Sequence, residues 1–494
     1  MSIGRVVRPE RRDVFAGVAI TALGLAITFS NIRLPIMRNA LVYAKMSVRL
    51  LDGTLRVSDI PSSPYGKGLG FPLLALPFVG AFGPNAGVQI ASAICTVLFV
   101  AATVMFFRRF GERAGLNRAS FGLGVVLVCW NPLVMYQFWS GYADSLFSAA
   151  FLAALVAFDK LITERTVRAA LLYVVAVYAS MIAKNIGVIL PLTHVLYAAF
   201  FLSDVKQILR NRKLVAVVVL LAAALAVAVQ LGRMGLNPTL PLNAQEKEFS
   251  ANLGVIISFI RPNAKAFGGF LLLSLNVSVG LLFTRSSRRR EVLPLYLASA
   301  GYCATMLAFY NSWFNIRFYF CVLPVLVLGV LPSLLALAPR ARTVALALTL
   351  GVNAVLVATY NLPAVYASMP FSRQALEQNP LAQNPTFDNL RMGEHLNAKA
   401  DLDCLNQLPP HATVVLAAEY YQDAVFGIYD KGGLLRPDLD VRFARLKAGQ
   451  ERIEPGTHIW FVLGDRPHDA FVQAFCENWG IQVEPVAGHV YLVR

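Results

Sequence analysis

The 494-residue chain is 57% hydrophobic and 15% charged, with a formal net charge of +16. A mean hydropathy of +0.58 excludes an ordinary soluble domain and marks a chain built for a bilayer. The positive charge does not point to nucleic acid: the basic residues sit in short loops between apolar runs, as RRFGER (108–113), KQILRNRK (206–213), RSSRRR (285–290) and PRAR (339–342), which is the positive-inside pattern.

In chain order, Arg5, Arg8, Arg11 and Arg12 precede the apolar run Val14–Phe29. No small-x-small cleavage site follows, so the run reads as an uncleaved first span with the N-terminus inside. The polar stretch 31–71 comes next. Its Asn39–Gly53 part has an amphipathic helical pattern, and a Gly/Pro-rich segment, Gly66–Pro77, leads back to the membrane. Loops this long in a compact protein are usually functional or disordered; the helical pattern favours function. Further spans are expected at 86–107, 119–136, 143–159, 168–183, 186–202, 214–231, 267–284, 292–310, 316–338 and 343–360. With the first, that makes about eleven membrane helices, enough to place the two chain ends on opposite sides.

The fold class predicted is therefore a polytopic all-α membrane domain over residues 1–360, with the outer loop 31–71. A C-terminal extracytoplasmic α/β domain follows over 361–494. Strands are expected at 412–418, 440–446, 458–464 and 489–494, alternating with helical patterns at 387–406, 419–429 and 467–479. Cys404 and Cys476 fall in that domain, where a disulfide or two structural thiols are both open. Cys95, Cys129, Cys303 and Cys321 lie in spans and read as small core residues. Five of the six histidines also lie in the C-terminal part, without ligand spacing.

Up to residue 360 this threading leaves five outward acidic residues: Asp52, Asp59, Asp144, Glu246 and Glu248. A general base acting on the outer face must come from this short roster. Asp144 starts a span, so it reads either as a helix-terminus carboxylate or as a site marked by charge at membrane depth. Asp59, in RVSDIPSSPYGKG, reads as an Asx turn before Pro61 or as a carboxylate held rigidly toward the same chamber. Asp52 precedes Gly53 and ends a helix; Glu246 and Glu248 form a solvated charge run.

Arg38, Lys45, Lys67, Lys184, Arg261 and Arg317 form the matching cationic set. Snorkelling to headgroups accounts for most such residues. Lys184 and Arg317 stand beside Asn185 and Asn315 at span ends, where a cation suits a phosphate arriving from the bilayer. An outer carboxylate and a lipid phosphate together suggest one reaction. The carboxylate deprotonates an acceptor hydroxyl, the hydroxyl attacks the anomeric carbon of a polyprenyl-phosphate sugar, and Arg or Lys stabilises the departing phosphate. There is no Walker-type loop and no GxSxG elbow. Five scattered carboxylates disfavour a dedicated metal cage, although a divalent cofactor stays open.

Three segments carry a family resemblance. The first span is followed by a long outer loop with an amphipathic helix. The segment NPLVMYQFWSGYADSLF (131–147) is similar to the NP…Y-x-E-S-L-F segment of the GPI-anchor mannosyltransferases, with Asp144 in the acidic place. NIRFYFCVLPVL (315–326) resembles the N-x-R-[FY]…P segment near the last spans. In this order they resemble the GT-C superfamily of membrane glycosyltransferases. That resemblance implies a GT-C-type fold and catalytic roles for Asp144 and Asp59. The outer cations Arg317, Lys184, Arg261 and Lys67 are expected to hold the donor phosphate, with substrate contacts from Asn39, Tyr43, Tyr142 and Asn315. The chain departs from the pattern at Asn39, in N-A-L-V-Y, where the superfamily usually carries an acid; an amide cannot act as a base.

The expected function is inverting transfer of a sugar from a polyprenyl-phosphate donor to a glycan, glycolipid or protein acceptor. The expected place is the outer face of a bacterial inner membrane, among membrane lipids and without nucleic acid. A lipid-linked-glycan flippase or transporter would want charged residues deep in several spans, and these span interiors are nearly uncharged. An O-antigen polymerase or ligase would rely on outer arginines such as Arg33, Arg38, Arg49 and Arg56, and would place its large outer part between late spans.

Overall fold

The structure, a computed structural model, describes residues 11–37, 39–55, 68–184, 295–303, 321–368, 392–418, 434–444, 452–462 and 468–494, with scattered positions in 187–227. Helix α1 (Arg11–Asn31) is followed by an extended link and by α2 (Asn39–Leu51). The amphipathic pattern of α2 is realised: Ala40, Leu41, Val42, Tyr43, Ala44, Met46 and Ser47 are buried, while Asp52 and Gly53 form an exposed turn with Gly53 at φ 66.

The return segment is helical from Gly70, and the span expected at 86–107 falls within the helical limb that follows Pro84. Helix α3 (Gly70–Phe110) consists of two limbs, one on each side of Gly83. It bends where Gly83 adopts φ 77, immediately before Pro84. Pro72 and Pro84 each stand in the first turn of a limb, where the missing N–H costs nothing. Gly83 and Pro84 therefore break the helix, and a Cβ on Gly87 of the second limb would lie 2.5 Å from the Val79 backbone of the first.

The span expected at 119–136 is broken into α4 (Phe121–Cys129) and α5 (Pro132–Gln137). Residues before proline avoid the helical region. Asn131 is extended there, and its side chain accepts a hydrogen bond from the Val134 N–H at 3.0 Å to cap the second piece. Helices α6 (Asp144–Glu164) and α7 (Val167–Ala183) match their predicted spans and form the most extensively packed pair of helices. At one end of the bundle Asp159 pairs with both Arg109 and Arg113, and the Arg109 guanidinium donates to Thr163 at 2.8 Å.

Residues 295–303 are helical, and α8 (Leu323–Leu335) and α9 (Pro339–Asn361) complete the described apolar helices. Among the described residues four helices are long and apolar enough to cross a membrane: α1, α3, α6 and α9. Val344, Leu348, Val352 and Val355 of α9 are each more than half exposed, as a lipid-facing helix requires. The expected spans at 267–284 and most of 186–231 lie outside the described residues.

At the opposite end from Arg109, three buried amides tie the chain together. Asn85 accepts from the Ile36 N–H at 2.8 Å and donates to the Leu34 carbonyl at 3.0 Å. Asn31 donates to the Asn361 carbonyl at 2.9 Å. The Asn361 side chain accepts from the Trp139 indole at 3.0 Å and donates to the Pro132 carbonyl at 3.2 Å. The link into α2, the broken α4–α5 segment and the end of α9 are thus one hydrogen-bonded rim.

After the short α10 (Pro363–Ser368) comes α11 (Met392–Leu405), then a five-stranded sheet with order β2-β1-β3-β5-β4. Its strands are β1 (Thr413–Ala418), β2 (Asp440–Ala444), β3 (His458–Val462), β4 (Val483–Ala487) and β5 (Val490–Val493). Strand β1 is parallel to β2 and β3; β5 runs antiparallel to β3 and β4. Helix α12 (His468–Trp479) buries Phe471 and Phe475 against Val415, Ile459 and Phe461. The sequence did not announce β4, because Pro485 interrupts it; an edge strand tolerates proline at a bulge, and the β4–β5 register shifts between Pro485 and Ala487. Cys404 and Cys476 are both free thiols, on α11 and α12 respectively.

Buried Asp401 joins α11 to the sheet: it accepts from the Trp460 indole at 3.0 Å, from the His489 backbone N–H at 3.0 Å and from His489 Nδ1 at 2.9 Å. His395, also on α11, reaches the helical part. Its Nδ1 donates to the Pro35 carbonyl at 2.6 Å, its Nε2 accepts from the Tyr136 hydroxyl at 3.1 Å, and its ring lies 4.7 Å from that of Trp139. Both ring nitrogens are satisfied by one neutral tautomer.

Burial pulls the His395 pKa from 6.5 down to about 4. Protons therefore bind the unfolded chain first as pH falls. The stability from this neutral ring is fully present above pH 6.5 and is lost as pH drops toward about 4. The loss is on the order of 3 kcal/mol from this group. Thermal midpoints of wild type and His395→Gln between pH 7.5 and pH 4 test this: the variant is less stable at neutral pH, and its acid-side slope is shallower than that of wild type.

Candidate active site

Asp144 is the first residue of α6, and Lys184 follows the last residue of α7. Because the two helices are antiparallel neighbours, residues 40 apart in sequence meet at the rim. The Lys184 ammonium bonds the Asp144 carboxylate directly. Both residues are buried, at 5% and 4% exposure. The ammonium also stands 5.7 Å from the Phe147 ring centroid, a cation–π distance. Phe147 lies one turn after Asp144 and stacks on Tyr302 at 5.6 Å.

Local chemistry fixes this start of α6. The carboxylate stands at a helix N-terminus, where the exposed N–H groups favour negative charge. The Ser92 hydroxyl contacts the Gln137 carbonyl at 2.6 Å and the Tyr142 carbonyl at 3.3 Å, folding the 137–142 segment over α3. One turn on, Thr96 and Ser145 share a hydroxyl hydrogen bond of 2.8 Å. Gly141 turns the chain at φ 77, and a Cβ there would come within 2.9 Å of Ala40 and Val88. That close approach sets the first turn of α2 against the loop that delivers Asp144.

The return of the outer loop abuts the same place. A Cβ on Gly68 would run into the Ile182 carbonyl, and one on Gly70 would lie 2.9 Å from it, so only bare backbone fits beside the residues that lead into Lys184. Tyr43 of α2 meets Phe71 edge-on at 5.0 Å, and Ser47 donates to the Tyr43 carbonyl at 2.9 Å and also lies 3.2 Å from the Pro72 carbonyl. The rim is thus walled by α2, the start of α3, the 137–142 segment and the ends of α6 and α7.

Of the residues singled out from sequence, the structure brings Asp144 and Lys184 into contact. It places Asn39, Tyr43 and Tyr142 on the walls around them, Tyr142 being 2% exposed. Asp59, Lys67, Arg261, Asn315 and Arg317 lie outside the described residues. Among the described residues no group of three His, Cys, Asp or Glu comes together as a metal set.

Sequence reading did not select Asn85, Asn361, Ser92 or His395, which position the rim. Asn85 and Asn361 were noticeable as amides at the edges of apolar runs. Their partners were not, since the Asn361–Trp139 bond spans 222 residues.

No protein-family model matches the chain, and no curated protein matches it. Among solved structures it is similar to the crystal structure of ArnT from Cupriavidus metallidurans bound to undecaprenyl phosphate. The identity is 15% and the TM-score 0.54, covering 96% of this chain and 97% of that one. The apo state of the same protein matches at 16% identity, with TM-score 0.54 and the same coverage. The likeness runs through nearly the whole of both chains and shows that they share a fold, a largely helical part with a small C-terminal sheet.

Breaking a buried ion pair from one side leaves an uncompensated charge and costs about 3–5 kcal/mol. Lys184→Met and Asp144→Leu are each expected to lose stability in that range, and the double substitution is expected to recover at least half of the summed loss. Equal additivity of the two single losses in reversible unfolding from detergent would show that the pair is not coupled.

Proposed function

We propose that the chain is an inverting glycosyltransferase that uses a polyprenyl-phosphate sugar and works at the rim around Asp144 and Lys184. The observation that carries this reading is a buried carboxylate–ammonium pair at the helix ends, walled by the amphipathic helix of the outer loop. The fold around it is shared with a structure solved in complex with undecaprenyl phosphate.

The pair suggests an order of events. Lys184 holds Asp144 before substrate arrives. A donor phosphate brings a competing negative charge, and the ammonium has three donor hydrogens to share with it. As Lys184 turns toward phosphate, Asp144 is released to accept the proton of the acceptor hydroxyl. The hydroxyl oxygen forms its bond to the anomeric carbon as that carbon's bond to the phosphate oxygen breaks, which inverts the centre. The proton stays on the carboxylate, and the lipid phosphate leaves with the electron pair, stabilised by Lys184. Asp59 is proposed as the second outer carboxylate, and Arg317, Arg261 and Lys67 as further phosphate-binding cations. Asn39, Tyr43, Tyr142 and Asn315 are proposed to touch the sugar or acceptor.

This reading sets the molecule in a bacterial inner membrane with about eleven spans and the N-terminus inside. The division is a membrane domain over 1–360 and an outer α/β domain over 361–494. The acceptor is an envelope glycan, glycolipid or protein. The charged pair lies at helix ends rather than in mid-span, which supports a surface reaction chamber over a transport pathway.

Two measurements test the proposal. Asp144→Asn is expected to lower transfer of labelled sugar from a polyprenyl-phosphate donor by about a hundredfold, the scale of a lost general base. The same substitution removes the carboxylate that competes for Lys184, so it is expected to bind bare undecaprenyl phosphate more tightly than wild type, whereas Lys184→Met binds it more weakly. Full transfer activity in Asp144→Asn, or weaker phosphate binding in that variant, would sink the assignment.

A further inference from the structure

The C-terminal sheet carries a cleft that the reaction at the rim does not use. It lies open between strands β1 and β2, the turn before β3 and the end of α12. Trp479 forms one wall. Its indole stacks on Phe475 at 5.5 Å and 17°, which holds the ring in a fixed plane. Arg442, Arg452, Glu454, Thr413 and Thr457 supply the polar lining. Arg442 is itself braced by two hydrogen bonds to Asp440 at 2.8 and 3.0 Å, and Thr413 donates to the same carboxylate at 3.3 Å.

We infer that this cleft binds a saccharide unit of the acceptor glycan. A sugar ring presents axial C–H groups on one face and hydroxyls at its edge. A fixed aromatic plane serves the first, and a mixed set of guanidinium, carboxylate and hydroxyl groups serves the second. The charge balance argues against a phosphate or nucleotide: Asp440 already meets Arg442, and Glu454 faces the same space. The choice of an acceptor glycan rests on the transferase reading above; the saccharide chemistry of the cleft does not. An extended peptide added to the free edge of β2 is the competing occupant.

The test uses the full-length chain in lipid nanodiscs and two probes. The first is undecaprenyl phosphate, read by thermal stabilisation, which reports the rim. The second is the oligosaccharide fraction released by mild acid from the cell's own envelope, read by tryptophan fluorescence. Wild type is expected to bind the oligosaccharides, with at least tenfold weaker binding in Arg452→Ala and in Trp479→Ala. The arginine variant keeps the test valid if the tryptophan variant is unstable. No binding by wild type, binding undiminished in Arg452→Ala, or binding of an extended decapeptide in place of the sugar overturns the inference. Absence of stabilisation by undecaprenyl phosphate, with oligosaccharide binding intact, overturns the transferase reading and leaves the saccharide cleft standing.

Discussion

A single buried ion pair at the adjoining ends of α6 and α7 organises the rim of this molecule. Asp144 and Lys184 are both more than nine-tenths buried, and neither charge is tolerable there alone: the desolvation of an isolated carboxylate or ammonium exceeds what any one neighbour returns. Holding them together requires α6 and α7 to begin and end at the same level. It also requires the loop before α6 to turn at Gly141, and the outer loop to return past Ile182 on glycine backbone. The walls of the proposed chamber are consequences of that level.

The second constraint is the fate of backbone groups where helices break near lipid. Unpaired N–H and C=O groups cannot be left to hydrocarbon. Here the breaks at 32–37, 130–131 and 361–362 are closed by side chains that reach across the bundle. Asn85 serves Leu34 and Ile36, Asn31 serves Asn361, and Asn361 serves Pro132 and Trp139. His395 adds the C-terminal part to this rim by serving Pro35 and Tyr136 with its neutral ring. An ion-paired rim and a satisfied-amide rim therefore share one end of the bundle, and the α/β part is fastened to it.

Much of the fold was readable from residue order. The first span, α6, α7, α9, the amphipathic α2, α12 and four of the five strands follow hydrophobic periodicity, which reports which face each element buries. The misses share a cause. Pro132 broke a run that hydropathy alone reads as continuous. Pro485 hid an edge strand. Proline removes one N–H, and whether that matters depends on whether the native neighbour needed it.

The candidate site divides in the same way. Residue type and span position marked Asp144 and Lys184 separately, because a carboxylate and an ammonium at span ends are unusual in so apolar a chain. Nothing in the sequence joined them, since 40 residues and a full helical hairpin lie between. Sequence by itself determined a membrane-embedded helical chain, its basic-loop pattern, its terminal α/β part and the short roster of outer acids and cations. Only the tertiary structure decided that the acid and the cation neutralise each other, that α2 and the returning glycines wall them in, and that Asn361 and His395 brace the rim. Hydropathy and charge are properties of single positions along a chain. Pairing is a property of distance, and distance is set when antiparallel helices pack.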